Sequence, residues 1–85
     1  MILTFEISTD GTGLVVFFDE EGRDELIARL SECTVPGDHF HLFSGEAAVP
    51  GYTITTDEFT SDSKALSCVT IGMPGPGMQP IKDRD

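Results

Sequence analysis

From Ile2 the chain alternates, with Leu3, Phe5 and Ile7 on one side and Thr4, Glu6 and Ser8 on the other. A period of two belongs to a strand with one buried face. The next five residues, Thr9-Asp10-Gly11-Thr12-Gly13, have turn chemistry, because their glycines adopt positive φ without steric cost. Leu14-Val15-Val16-Phe17-Phe18 follows, a β-branched and aromatic run. The two runs predict an N-terminal antiparallel hairpin.

After the acidic stretch Asp19-Glu20-Glu21 the period changes. Leu26, Ile27, Leu30 and Cys33 recur at i, i+1, i+4 and i+7, which places them on one helical stripe. Acidic residues at the start suit the positive end of a helix dipole, and Arg29 suits the negative end. The pattern predicts a helix over residues 20–32, stopped by Pro36-Gly37. Beyond it, Asp38-His39-Phe40-His41-Leu42-Phe43 alternates again, with Phe40 and Leu42 inward and both histidines outward.

Residues 44–51 read as a loop, and Tyr52-Thr53-Ile54-Thr55-Thr56 as a short edge strand or extended segment. Residues 57–64 are polar and turn-like. Residues 65–71 predict the last strand, although Leu66 and Cys68 share a face opposite to Val69 and Ile71 only if a bulge or two-sided burial intervenes. From Met73 the chain has three prolines and no period, which predicts a flexible tail over residues 73–85 after a single domain over residues 1–72. The order is β-β-α-β-(β)-β. That is an α+β domain with a small antiparallel or mixed sheet of four to five strands, one helix packed on one face and the other face half polar and open for docking.

Length and charge narrow the function. With 85 residues the chain has room for one modest core, since a domain this small buries only roughly 60 to 65% of its unfolded surface. The formal charge is −10, and up to Ser63 thirteen Asp and Glu face only Arg23 and Arg29. Such a field repels phosphate backbones and anionic membranes, and it speeds encounter with a basic partner, including a nucleic-acid enzyme. Acidity also serves plain solubility. No apolar run reaches the roughly 18 residues of a transmembrane helix and no leader pattern opens the chain, so the expectation is a cytoplasmic protein with Cys33 and Cys68 as free, core-packed thiols.

Chemistry-bearing constellations are few. His39-x-His41 places two imidazoles on one side of a strand, a spacing found in metal sites, but no HExxH or paired-cysteine motif supplies a third ligand, so no metal or cofactor is expected. Ser44, Ser67 and Cys68 sit in no nucleophile elbow, Gly11-Thr12-Gly13 is a turn and not a dinucleotide fingerprint, and Glu20 and Glu21 read as a solvated helix start. No catalytic residue is expected.

The alternating first strand, Asp19-Glu20-Glu21-Gly22-Arg23-Asp24-Glu25-Leu26 entering a helix, Gly37-Asp38-His39-Phe40-His41-Leu42, and a closing strand after Ser61, Ser63 and Lys64-Ala65-Leu66 together resemble the immunity protein 32 family of bacterial polymorphic-toxin systems. The resemblance spans about residues 1–72. Residues 44–52 depart from the aromatic, glycine-rich loop of that family. It implies a non-enzymatic antidote that binds and neutralises a cognate toxin. The expected partner-binding residues are Asp19, Glu20, Glu21 and Asp24 at the helix start, His39 and His41 on the strand, and Glu46 and Tyr52 in the loop. Three alternatives remain beside it. One is a phage-type inhibitor such as an anti-CRISPR-like acidic nucleic-acid mimic, another a small metal-binding hydrolase or cupin-like domain centred on His39 and His41, and the last a structural module that oligomerises through its sheet edge.

Overall fold

The N-terminal alternation forms strand β1 (Leu3–Ser8), and the second run forms β2 (Leu14–Phe18), in a computed structural model that describes residues 1–81. The two pair antiparallel, with Phe5 opposite Val16. Between them Gly11 takes φ 76°, and the Asp10 carboxylate accepts from the Thr12 amide at 3.0 Å, the Thr12 hydroxyl at 2.7 Å and the Ser8 hydroxyl at 2.8 Å. Those donors hold the Asp10 carboxyl down to about 2.

Helix α1 (Glu20–Ser31) ends one residue short of its expected limit, and Asp19 is its N-cap, accepting from the Gly22 amide at 2.8 Å. Strand β3 (His39–Phe43) follows, then a single 3-10 turn (Gly45–Ala47), β4 (Ser63–Ala65) and β5 (Cys68–Gly72). The domain is α+β with five strands, and these divide between two antiparallel sheets, β2-β1-β4 and β3-β5.

Three details differ from the sequence reading. Of the two forms expected for Tyr52 to Thr56 the extended segment is found, with Thr53 making one parallel bridge to Phe43, and the extra strand is instead β4, whose Ser63 and Lys64 come from the stretch that reads as polar turn. The expected last strand splits at Leu66-Ser67, because Glu6 pairs with Ala65 in one sheet whereas Phe43 pairs with Cys68 in the other. The chain thus changes sheets where the alternation changes phase. Third, the polar-looking face of the first sheet is no docking surface. Thr4 and Glu6 are fully buried beneath residues 55–60, the Thr4 hydroxyl bonding Thr55 Oγ1 at 2.8 Å and Phe17 lying 5.0 Å from the Phe59 ring.

The core joins both sheets: Leu3 and Phe5 from β1, Phe40 and Leu42 from β3, and Ile54 from the connecting segment. Each such side chain contributes about 1.5–3 kcal/mol by leaving water. The helix meets this core through Leu26 and Cys33, whereas Ile27 and Leu30 of the expected stripe are about half exposed. The buried side of α1 is turned toward Gly22 and Arg29, because only a glycine at position 22 lets the helix lie on the Ile2 carbonyl. Cys33 and Cys68 are free, and Cys68 is exposed, contrary to the expected core position.

Of the expected tail, residues 82–85 lie outside the described residues. Met73 and Pro74 carbonyls both accept from the Gly37 amide, at 3.2 and 3.1 Å, and the Met73 amide donates to Asp38 at 2.8 Å.

Four carboxyls, on Glu6, Asp10, Asp19 and Asp38, sit below their ordinary values. At Asp19 the amides of Ile2 and Gly22 are responsible, and at Asp38 those of Thr34 and Val35. At Glu6 burial opposes ionisation, but the Thr60 hydroxyl and the Phe59 and Thr60 amides outweigh it. A carboxyl lowered by folding contributes stability that is present above its unfolded value near pH 4 and is lost as pH falls through the folded value. The thermal midpoint is therefore expected to fall steeply between about pH 4 and pH 2, and Asp10→Ala to flatten the lower part of that slope. Circular dichroism melts across a pH series check this.

Candidate functional site

On α1 the residues Glu20, Glu21, Asp24, Glu25, Ala28 and Arg29 line a shallow groove of about 500 Å³. Glu21, Glu25 and Glu32 are separated by four and seven residues, so a 3.6-residue period stacks them on one side of the helix. The result is an acidic stripe running the length of α1, about 18 Å for twelve residues at 1.5 Å each. Three cations lie along it among the described residues: Arg23 meets Asp24 at 3.0 Å and Glu20 at 4.0 Å, exposed pairs worth little, the N-terminal amine lies 3.4 Å from Glu21, and Arg29 lies 3.2 Å from Glu32.

The stripe leads into a cleft of about 430 Å³ at the C-terminal end of the helix, bounded by Glu32, Asp38, His39, His41, Phe43 and Tyr52. Alternation in β3 buries Phe40 and Leu42 and turns both imidazoles outward. His39 Nδ1 lies 3.0 Å from the Gly37 carbonyl, which accepts only, so this nitrogen carries a proton. His41 Nδ1 contacts the Thr70 hydroxyl at 2.8 Å, and the two histidine rings meet edge to face at 5.1 Å.

Tyr52 closes the opposite wall. Its hydroxyl donates to Glu32 at 3.0 Å, and the Arg29 guanidinium lies 4.6 Å above its ring, 3.2 Å from Glu32 and 3.1 Å from the Gly51 carbonyl that it donates to. Arg29 thereby ties the loop to the helix. Its Nε is buried without a partner among the described residues.

The eight residues singled out from sequence separate into three groups. Glu20, Glu21 and Asp24 share the helix groove, and His39, His41 and Tyr52 share the cleft. Asp19 is engaged in capping α1, and Glu46 stands exposed in the 3-10 turn, lining neither concavity. Glu25, Glu32 and Asp38 were missed. The first two carried a signal, their helical phase with Glu21, and so did Asp38, which directly precedes His39 in the chain.

Among the described residues no three His, Cys, Asp or Glu side chains stand close enough together to hold a metal ion, and the two small sheets do not form a cupin barrel. No described helix is long and apolar enough to cross a membrane. No protein-family model, no curated protein and no solved structure matches this chain.

Proposed function

We propose that this chain is a non-enzymatic inhibitor that binds a basic protein on the acidic stripe of α1, in the manner of an immunity protein neutralising its cognate toxin. The observation that carries the reading is the stripe itself: Glu20, Glu21, Asp24 and Glu25 line one concave acidic surface, and Glu32, in helical phase with Glu21 and Glu25, lines the cleft at the end of the helix. Its resemblance to the immunity protein 32 family, through Gly37-Asp38-His39-Phe40-His41-Leu42 and the acidic helix entry, supports the same reading. The partner fits a toxin or nucleic-acid enzyme with a basic active-site rim, and the compartment is the cytoplasm, where an antidote meets its toxin.

Opposed charges speed encounter and lose their effect as salt shortens the Debye length to about 8 Å at physiological ionic strength and about 3 Å at 1 M. Tagged protein passed through lysate of its source cells is expected to retain a basic protein at low salt and release it at high salt. Retention unchanged by salt, or of an acidic protein alone, contradicts the reading.

A further inference from the structure

We propose that the cleft at the end of α1 is a socket for one arginine side chain of the basic partner, an inference that rests on the inhibitor reading above. The rim is rich in acceptors. Glu32 and Asp38 present carboxylates, of which Glu32 Oε1 already accepts from the Tyr52 hydroxyl and Asp38 Oδ2 from the Thr34 and Val35 amides, and the Tyr52 oxygen, its hydrogen given to Glu32, accepts as well. A cationic side chain with donors alone matches such a rim, and on a basic partner that is arginine or lysine.

The walls decide between the two. Tyr52, Phe43 and His41 offer ring faces, with the His41 and Phe43 rings stacked at 6.1 Å. A planar guanidinium stacks on such rings while its fork of N–H groups reaches a carboxylate, whereas a strongly hydrated ammonium gains less from them. The chain already contains this arrangement once: Arg29 lies over Tyr52 at 4.6 Å and meets Glu32 at 3.2 Å from the helix side. The cleft offers a second guanidinium the same carboxylate from the solvent side, where Glu32 is half exposed.

The test titrates the isotopically labelled protein with hexa-arginine and with hexa-lysine peptides, following backbone amide shifts. Hexa-arginine is expected to move the amides of His41, Phe43 and Tyr52 and to bind about tenfold more tightly than hexa-lysine, the order of one charge-assisted contact. Glu32→Gln is expected to bring hexa-arginine down to the level of hexa-lysine. His41→Lys, on the outward face of β3, is expected to do the same by placing a cation in the socket. Equal affinities, with shifts confined to Glu20, Glu21 and Asp24, overturn the socket and leave the acidic-stripe inhibitor standing. No shift with either peptide overturns both.

Discussion

Gly22→Ala is expected to destabilise the protein by on the order of 3 kcal/mol, lowering the thermal midpoint by roughly 10 to 20 °C. Intrinsic propensity predicts the opposite sign, because alanine inside a helix is favoured over glycine by about 1 kcal/mol. The reversal comes from packing. A Cβ at position 22 would overlap the Ile2 carbonyl oxygen and lie 3.2 Å from Leu3 Cβ, so the first turn of α1 would have to lift away from β1. Lifting it also disturbs the amide that donates to Asp19 and the acidic groove that begins two residues earlier. Ala28→Gly, on the exposed part of the same helix, is the propensity control and is expected to cost only about 1 kcal/mol. Thermal melts followed by circular dichroism distinguish the cases, and a Gly22→Ala protein more stable than its parent would show that the helix does not rest on Ile2.

The second large effect is expected at Glu6. Its carboxylate is fully buried and accepts from the Phe59 amide at 2.9 Å, the Thr60 amide at 3.3 Å and the Thr60 hydroxyl at 2.7 Å. Nothing else ties residues 59 and 60 to β1 so directly. Glu6→Ala leaves those donors without an acceptor beneath a segment that also covers Thr4 and packs Phe59 on Phe17. A buried donor left unpaired is costly, so the thermal midpoint is expected to fall by about 10 °C or more, with the Phe59 and Thr60 amides exchanging much faster with solvent. Glu6→Gln keeps one acceptor oxygen and is expected to fall between the two. A Glu6→Ala midpoint within about 2 °C of the parent would contradict this role.

Glu6 also shows where sequence pattern ceases to report structure. Alternation located β1 and β3 and a β-branched, aromatic run located β2, and the alternation in β3 placed the histidines outward and Phe40 and Leu42 inward. It placed Glu6 and Thr4 on a solvent face because polarity is read locally, and no local signal tells that residues 55–60 fold back over that face. The same polarity made residues 57–64 look like plain turn, although Ser63 and Lys64 belong to β4. Leu66 and Cys68 did carry a warning in their broken phase, which marks the crossing between sheets.

The helix was legible in extent but not in orientation. Leu26, Ile27, Leu30 and Cys33 define an apolar stripe, but Gly22 permits closer approach than any side chain, so the helix turns to rest on Gly22, Leu26 and Cys33 and leaves Ile27 and Leu30 outward. Glu21 and Glu25 then line the groove and Glu32 the cleft at the end of the helix. The acidic residues were readable from the start, whereas their meeting with His39, His41 and Tyr52 depends on where loop residues 49–52 cross the end of α1.

The acidic stripe as a specific surface, and not net charge alone, is the claim most open to direct test. Two double variants remove the same two negative charges: Glu21→Gln with Asp24→Asn on the stripe, and Asp57→Asn with Asp62→Asn away from it. Affinity for the partner retained at low salt is to be measured for both by calorimetry. The stripe variant is expected to bind at least about tenfold more weakly than the other, which should stay near the parent. Equal weakening of both would mean that bulk charge attracts the partner and that the stripe is an ordinary solvated helix face.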